Sequence, residues 1–205
     1  MEKLPTIVIG STNSKKRDEI ESIISDLHVK LLTLNDFDNV PVIDEDGKTF
    51  KENAAKKAVS FAKWCNKPVI ADDSGLEVEA LGNRPGVYSS RYAGEGATDE
   101  MRIEKLLTEL CKVNDKNRIA RFKCAIAFAV PQKLVFVVEA ECNGIINKKP
   151  SGHNGFGYDP VFYVPEYGKT FAEITPDVKN KISHRAKALT LFRERFVKEA
   201  LNSYQ

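Results

Sequence analysis

The chain has 205 residues, 42% hydrophobic and 29% charged, a composition typical of a folded globular protein that argues against disorder. Its 31 basic and 29 acidic residues are interspersed and leave a formal net charge of +2, so broad binding to DNA or RNA is not expected. No stretch approaches the length of a transmembrane helix, and residues 1–5 lack the apolar core of a signal peptide. The four cysteines are scattered, without a C-x-x-C pair, which fits the reducing cytoplasm.

The first third of the chain predicts a strand, a loop and a helix, followed by a second strand. Residues 6–10 are an apolar run that ends in a polar, turn-prone stretch. A helix is predicted next, because apolar residues follow at helical spacing: Ile20, Ile23, Ile24 and Leu27. Residues 29–34 predict the second strand, and residues 35–48 are acidic and irregular. Thr49 and Glu52 then have the spacing of a capping box, which predicts another helix starting at Thr49.

The middle of the chain predicts a short buried strand at residues 69–71, which runs into a polar Asp-Asp-Ser-Gly segment. Residues 81–96 carry four glycines and a proline, so a loop is expected there. Thr98 is the predicted cap of a third helix, and Asp99 and Glu100 suit the positive N-terminal end of that helix. A long antiparallel hairpin is predicted next, with strands at residues 120–128 and 134–142.

The last part predicts a glycine-rich loop at residues 148–159, a strand at 161–164 and a final helix from about Ser183 to Leu201. His28 is expected to end the first helix, and Ala200 to face inward from the last one. Helices that alternate with strands early, and a hairpin that comes late, predict an α/β fold with a mixed sheet and helices packed on it. No internal repeat or linker is apparent, so residues 1–205 are expected to form a single domain.

The loop between the first strand and the first helix is a candidate phosphate site. A helix N-terminus presents free N–H groups and the positive end of the helix dipole. The segment is Ser11, Thr12, Asn13, Ser14, Lys15 and Lys16, and Lys16 could add a positive charge to a phosphate oxygen. It lacks the glycines of a P-loop, so a Walker-type NTPase is not supported. The alternative interpretation is a capped helix with solvated lysines.

Carboxylates in two segments are candidate ligands of Mg²⁺, which takes a few carboxylates together with substrate phosphates. Asp72 and Asp73 follow a buried strand, and residues 44–46 add Asp44, Glu45 and Asp46. Because neighbouring residues of a strand point to opposite faces, the two aspartates are expected to have different roles. One of them could bind Mg²⁺ or activate water, while the other orients a neighbour. The alternatives are an Asp-Ser-Gly turn and a solvated acidic loop.

A base-binding site is suggested by Phe156, Gly157, Tyr158 and Asp159, which follow Gly155. Glycines on both sides of an aromatic residue allow close backbone approach, and an exposed Phe ring beside a carboxylate suits a stacked purine. Ser183 is a good N-cap for the last helix, and His184 and Arg185 could meet the base or the phosphates, assisted by Lys179 or Lys181. The alternatives are a glycine turn with Phe156 in the core, and a capped helix with solvated His184 and Arg185.

Taken together, these segments resemble the inosine triphosphate pyrophosphatase family, whose members are also described as XTP/dITP diphosphatases. The resemblance spans nearly the whole chain and is to the bacterial-type pattern. Its blocks are S-x-N-x-x-K (Ser11, Asn13, Lys16), the segment at residues 45–54, A-D-D-S-G-L-E-V, L-G-N-R-P-G-V-Y-S-S-R-Y-A-G, G-F-G-Y-D-P-V-F and S-H-R-A-K-A-L. Ser11 stands where threonine is frequent in the family and keeps the hydroxyl.

The resemblance implies an elongated mixed β-sheet with flanking helices, two lobes around a central substrate cleft, and a homodimer. It also implies site residues. Ser11, Thr12, Asn13, Ser14, Lys15 and Lys16 are expected to contact the triphosphate, Glu45 and Asp73 to bind Mg²⁺, and Asp73 to accept the proton. Ser74 is expected to contact the substrate. The base pocket is expected to comprise Phe156, Gly157, Tyr158 and Asp159, closed by Lys179, His184 and Arg185.

The implied reaction is attack of water on the α-phosphorus of ITP, dITP or XTP, which yields the nucleoside monophosphate and pyrophosphate. Lys16 would stabilise the developing charge. Donors arranged for a 6-keto group would be left unpaired by the 6-amino group of adenine, which gives selectivity a physical basis. Two alternatives remain: a pyrophosphatase for other modified nucleotides, and a nucleotide-binding protein that has lost catalysis.

Overall fold

The computed structural model describes residues 6–24, 27, 29–114 and 117–199, with the backbone alone at positions 15 and 23. His28, Ala200 and Leu201 lie outside these residues, and so do residues 1–5. The strands of the described chain are β1 (Thr6–Ile9), β2 (Lys30–Thr33), β3 (Val69–Val78), β4 (Arg84–Pro85), β5 (Ile119–Val130), β6 (Lys133–Ile146), β7 (Phe162–Val164) and β8 (Lys169–Thr170). The helices are α1 (Ser14–Ile24), α2 (Phe50–Cys65), α3 (Asp99–Glu109), α4 (Pro176–Ile182) and α5 (His184–Glu199).

The strands form one eight-stranded mixed sheet in the order β2-β1-β3-β5-β6-β7-β8, with β4 paired to β3. Strand β1 runs parallel to both β2 and β3, whereas β3–β4, β6–β7 and β7–β8 are antiparallel pairs. The predicted α/β class, with a mixed sheet and flanking helices, is confirmed. No helix in the described ranges is both long and apolar enough to cross a membrane.

The chain divides into two compact units, each with its own hydrophobic core. The first unit comprises the described parts of Met1–Asp73, Cys124–Ala140 and Arg185–Gln205. The second comprises those of Ser74–Lys123 and Glu141–His184. The first core is centred on residues from β1, α1, β5 and α5, including Ile7, Ile20, Ile24, Phe128, Phe192 and Phe196. The second includes Leu76, Leu106, Phe122, Phe162 and Phe171.

Helix α2 begins as its sequence predicts. The Thr49 side chain accepts a hydrogen bond from the Glu52 amide, and the Glu52 carboxylate accepts one from the Thr49 amide, so the capping box is confirmed. One face of α2 is buried and consists of Phe50, Asn53, Ala54, Lys57, Ala58, Phe61 and Ala62. Two polar residues, Asn53 and Lys57, therefore lie on a face whose other residues are apolar, and both contact Asp73 on β3.

Strand β3 is longer than predicted, because it continues through the Asp-Asp-Ser-Gly segment to Val78. The alternative of an Asp-Ser-Gly turn is therefore wrong. The strand can pass through Asp72 and Asp73 because both carboxylates, although buried, have ionic and hydrogen-bonding partners. Further on, the Leu76 amide donates to the Ser89 hydroxyl at 2.9 Å.

Three other segments differ from the prediction. Residues 81–96 are not all loop, because they contain β4 and a short 3-10 helix, Gly86–Arg91. Helix α1 ends at Ile24, so Leu27 packs in the core from outside the helix. Strand β8 and helix α4 were not predicted, and they are only two and seven residues long. Elements so short carry little periodicity, and tertiary contacts decide whether they form.

Candidate functional site

The loop after β1 leads directly into the N-terminus of α1. The Gly10 amide donates to the Ile70 carbonyl on β3 at 2.8 Å. The Ser11 hydroxyl accepts from the Asn13 amide at 3.1 Å, and Asn13 Oδ1 accepts from the Lys16 amide at 3.3 Å. Thr12, Asn13 and Ser14 are exposed, whereas the side chain of Lys15 lies outside the described atoms. The loop therefore holds polar, accessible groups at a helix N-terminus, where anions are favoured.

Asp72 lies in a buried ionic cluster within the first unit. Its carboxylate is 3.0 Å from Lys16 Nζ and 3.3 Å from Arg185 Nη2, and Arg185 Nη1 also contacts Glu19. Burial alone would raise the pKa of Asp72, but the positive charges of Lys16, Arg185 and Lys57 outweigh burial and hold that pKa well below its usual range. Asp72 is therefore a permanent anion that fixes the ammonium group of Lys16.

Asp73 has different neighbours. Asn53 Nδ2 donates to Asp73 Oδ2 at 3.0 Å, and Lys57 Nζ lies 3.8 Å from Asp73 Oδ1. The same Lys57 Nζ is 2.6 Å from Glu45 Oε1. Burial raises the pKa of Asp73 to about 6, and the negative charge of Glu45 adds to this effect while Lys57 opposes it. Adjacent residues of one strand thus have carboxyls whose pKa values are shifted in opposite directions, a pattern found where acid and base roles are divided.

The acidic loop before α2 is held in place by the helix itself. The Gly47 amide donates to Asn53 Oδ1 at 2.8 Å, so Asn53 links this loop to Asp73. The loop sends its acidic side chains in different directions: Glu45 pairs with Lys57, whereas the exposed Asp46 pairs with Lys56 at 2.7 Å and Asp44 is exposed. Of the three predicted acids, the structure brings Glu45 to Asp73.

A second polar cluster lies in the glycine-rich loop of the second unit. Asp159 is 3% exposed, and its Oδ2 accepts from Lys179 Nζ at 2.6 Å and from the Phe156 amide at 2.9 Å. The Phe156 ring is partly exposed, with its centroid 5.2 Å from Lys179 Nζ. Gly155 has a φ of +78°, and a Cβ there would lie 2.0 Å from Asp159 Oδ2, so only glycine fits. The loop thus presents one aromatic ring beside a buried ion pair.

The other residues predicted for the base pocket are more enclosed. Tyr158 is 3% exposed, packs in the second core and donates its hydroxyl proton to the Ser89 carbonyl at 2.9 Å. His184 is 6% exposed and stacks on Phe122 with ring centroids 4.7 Å apart. Arg185 lies in the first unit, within the ionic cluster of Asp72. His184 and Arg185 are both buried, so the interpretation of them as solvated helix-end residues is wrong. Ser74, the other residue predicted to contact the substrate, is partly exposed on β3.

Three residues of the first cluster escaped the sequence analysis as individual candidates: Glu19, Asn53 and Lys57. A signal existed for two of them, since Asn53 and Lys57 are four residues apart on the face of α2 that also carries Phe50, Ala54 and Phe61. Polar residues at buried helical positions need partners. Glu19 follows Lys16 by three residues on α1, a spacing that places both on one side of a helix.

Glu45 and Asp73 are the acids best placed for a divalent cation. Both carboxylates face the ammonium group of Lys57, so this position already favours positive charge. Among the described residues, no group of three or more His, Cys, Asp or Glu side chains could hold a metal by itself. The donor set fits an ion such as Mg²⁺, which takes few protein carboxylates and completes its shell with water and phosphates.

Comparison with known proteins identifies the family of the chain. The model of the Ham1 family matches residues 7–195. The chain is 52% identical to the dITP/XTP pyrophosphatase of Geobacillus kaustophilus, with 93% of each chain covered, and 49% identical to that of Shouchella clausii, with 92% and 94% covered. A HAM1 protein structure from Coxiella burnetii superposes with a TM-score of 0.88 at 43% identity, covering 95% of this chain and all of that one. With the family model spanning nearly all of the described residues, the chain belongs to the Ham1 family.

Proposed function

We propose that this protein is a nucleoside triphosphate pyrophosphatase that hydrolyses ITP, dITP and XTP to the monophosphate and pyrophosphate, and so removes non-standard purines from the nucleotide pool. The observation that carries the proposal is the 52% identity with a dITP/XTP pyrophosphatase over 93% of both chains. The polar clusters of the two units support it, because one is rich in opposed charges and the other combines an aromatic ring with a single ion pair.

We assign phosphate binding to the loop after β1. Ser11, Thr12, Asn13, Ser14, Lys15 and Lys16 supply hydroxyl, amide and ammonium groups at the N-terminus of α1. Asp72 holds Lys16 Nζ at 3.0 Å and stays ionised, so the lysine is fixed in place before an anion arrives. Preorganised positive charge of this kind stabilises the charge that develops on a phosphoryl group during transfer.

Mg²⁺ is the proposed cofactor, and Glu45 and Asp73 are its proposed protein ligands. When bound, the ion would neutralise phosphate charge and lower the pKa of a water molecule. Lys57 lies between the same two carboxylates and keeps them together in the metal-free protein. Asn53 donates a hydrogen bond to Asp73 Oδ2 and so orients that carboxylate.

Asp73 is the proposed proton acceptor for the water that attacks the α-phosphorus. In the metal-free protein the Asp73 carboxyl has a pKa of about 6, so it is a stronger base than an ordinary aspartate and is still mostly ionised at neutral pH. Asp72 is unsuited to this task, since the neighbouring cations hold its pKa far too low for it to take a proton. The proposal therefore assigns proton transfer to Asp73 and the orientation of Lys16 to Asp72.

We assign recognition of the base to Phe156, Gly157, Tyr158 and Asp159, together with Lys179. The accessible part of the Phe156 ring would stack on the purine, and the Asp159–Lys179 pair would supply polar groups for the base edge.

Contacts of Ser74, His184 and Arg185 with the substrate stay predictions. So do the single-domain organisation of residues 1–205, the homodimer and the cytoplasmic location.

A panel of nucleoside triphosphates tests the proposal directly. With Mg²⁺, we expect rapid release of pyrophosphate from ITP, dITP and XTP and little release from ATP or GTP. Comparable turnover of all of them would refute the specificity, and release of orthophosphate instead of pyrophosphate would refute the site of attack. Binding of ITP without hydrolysis would favour a nucleotide-binding protein that has lost catalysis.

A further inference from the structure

Asp99 makes a contact that its position in the sequence does not explain. It is the first residue of α3, where an acidic side chain suits the positive end of the helix. Its carboxylate also reaches the glycine-rich loop 58 positions further along the chain, because the Gly157 amide donates to Asp99 Oδ2 at 2.6 Å. The other carboxylate oxygen, Oδ1, lies 3.3 Å from Arg102 Nη1. Each oxygen of Asp99 thus has its own partner.

Arg102 fixes this carboxylate from the helix side. Its Nη2 donates to the Ala97 carbonyl at 2.6 Å and its Nε to the Thr98 carbonyl at 3.2 Å, so the guanidinium is tied to the turn that precedes α3. Asp99 is therefore not free to follow the loop. The loop is held against a carboxylate whose position α3 determines.

Gly157 combines an anchored amide with open space at its α-carbon. Its backbone has a φ of +63°, and no heavy atom beyond its chain neighbours lies within 4 Å of a Cβ built there. The preceding amide, that of Phe156, donates to the Asp159 carboxylate. Two consecutive amides are thus anchored by two different carboxylates, and the side chain between them is the aromatic ring proposed to stack on the base. Charged acceptors make the stronger class of hydrogen bond.

We propose that Asp99 is a positioning residue for base selection, which sets the orientation of residues 156–159 through its hydrogen bond with the Gly157 amide. Asp99 acts through the loop and does not touch the substrate. This inference rests on the proposed function, because it assumes that the loop reads a purine. Without the anchor, Phe156 and Asp159 would sample other orientations, and a site that depends on their placement would bind ITP less tightly and discriminate less against ATP.

The test compares Asp99→Ala with Glu100→Ala, a matched control that removes the neighbouring, exposed acid of the same first turn of α3, whose side chain hydrogen-bonds with Thr98. For Asp99→Ala we expect KM for ITP to rise about tenfold, with kcat changed less than about twofold, since a hydrogen bond to a charged group is lost. The ratio of kcat/KM for ITP over ATP should fall about tenfold on the same grounds. Asp99→Asn, whose amide oxygen can still accept, should lie between wild type and Asp99→Ala. Wild-type KM and selectivity in Asp99→Ala would overturn the inference.

Amide hydrogen exchange tests the anchor without any activity. In the substrate-free protein, exchange at Gly157 should be at least about tenfold faster in Asp99→Ala than in wild type or Glu100→Ala. Unchanged exchange would overturn the anchoring role. If wild type fails to hydrolyse ITP, the proposed function is wrong, and the dissociation constants of ITP and ATP then carry the test. Equal discrimination by wild type and Asp99→Ala would overturn the inference, whereas reduced discrimination in the variant would support it.

Discussion

The two polar clusters differ in how they compensate buried charge. In the first unit, four carboxylates contact three cations: Glu19, Glu45, Asp72 and Asp73 against Lys16, Lys57 and Arg185. In the second unit, Asp159 and Lys179 form a buried ion pair, and the Lys179 ammonium lies 5.2 Å from the ring of Phe156 and 5.6 Å from that of Phe171. The first cluster thus contains a network of ion pairs, and the second contains an ion pair beside aromatic rings.

This difference indicates a division of chemistry. A charged side chain with several oppositely charged partners can exchange one of them for a bound ion, so a network of ion pairs can accommodate further ions. Glu45 and Asp73, which share Lys57, suit a divalent cation, and Lys16 suits a phosphate. A buried ion pair beside aromatic rings suits a flat, neutral group such as a purine base. Four predictions test the comparison, in order of decreasing expected effect.

Replacing Asp73 by Asn should abolish most of the activity. The amide keeps the size of the side chain and can still contact Asn53, but it cannot accept a proton, so kcat/KM for ITP should fall by about 10³-fold. Pyrophosphate release at saturating Mg²⁺ measures this effect, and circular dichroism should show a folded variant. An Asp73→Asn protein with activity near that of wild type would remove the residue from the catalytic role.

Breaking the Asp159–Lys179 pair should cost more stability than removing one cation from the network of the first unit. Lys179→Met removes the ammonium partner of the buried Asp159, which keeps its hydrogen bond from the Phe156 amide, and should lower the free energy of unfolding by about 3 kcal/mol. Lys57→Met should cost less, about 2 kcal/mol, because Glu45 is partly solvated and Asp73 keeps its hydrogen bond from Asn53. Urea unfolding at pH 7 without Mg²⁺ provides both values. Equal losses would show that the two clusters do not differ as described.

The stability of the metal-free protein should depend on pH with opposite signs at Asp72 and Asp73. Because the pKa of Asp73 is raised from 3.8 to about 6, its stabilising contribution is complete below about pH 4 and is lost as pH rises through about 6. Asp73→Asn should therefore gain stability relative to wild type over this interval, by about 2 kcal/mol. Thermal unfolding in EDTA at pH values from about 4 to about 7.5, an interval that spans the folded pKa of about 6, measures the gain.

In the same experiment, stability should depend on pH in the opposite direction at Asp72. Its pKa is lowered, so its contribution is present at neutral pH and is lost only as pH falls below the ordinary value of 3.8. Asp72→Asn should thus be less stable than wild type across the whole range. Parallel stability curves for Asp72→Asn and Asp73→Asn would contradict the assignment of opposite shifts.

The smallest expected effect concerns the acidic loop. Glu45→Gln should raise the Mg²⁺ concentration needed for half-maximal activity by about tenfold, which corresponds to about 1.4 kcal/mol, because one carboxylate of the proposed pair is lost. Asp46→Asn is the matched control, since Asp46 lies in the same loop but pairs with the exposed Lys56. If the two variants respond alike, Glu45 is not a ligand and the effect is a general one of loop charge.

Local sequence signals predicted the elements whose determinants lie within a few residues. The capping box of Thr49 and Glu52 predicted the start of α2, and Thr98 predicted that of α3. The extent of β3 could not be predicted in this way. Asp72 and Asp73 look like the end of a strand, yet the strand continues because Lys16, Arg185, Asn53 and Lys57 compensate their burial.

The candidate site also could be predicted only in part. The resemblance to the family singled out Lys16, Glu45 and Asp73, but not the neighbours with which they form ion pairs. Asn53 and Lys57 lie on the buried face of α2, and their significance depends on which strand that face meets. The sequence likewise explains Asp99 as a helix-end acid, whereas its hydrogen bond with Gly157 joins residues 58 positions apart.

The sequence by itself determined the α/β class, the capped helix starts and the family, because these depend on local patterns and on residue order. The tertiary structure decided which aspartate is a permanent anion and which has a pKa near 6, since burial and the placement of cations from distant segments set those values. It also decided that Asp99 holds the loop beside Phe156. Charge compensation between distant segments is invisible to local patterns, because it exists only after the chain has brought those segments together.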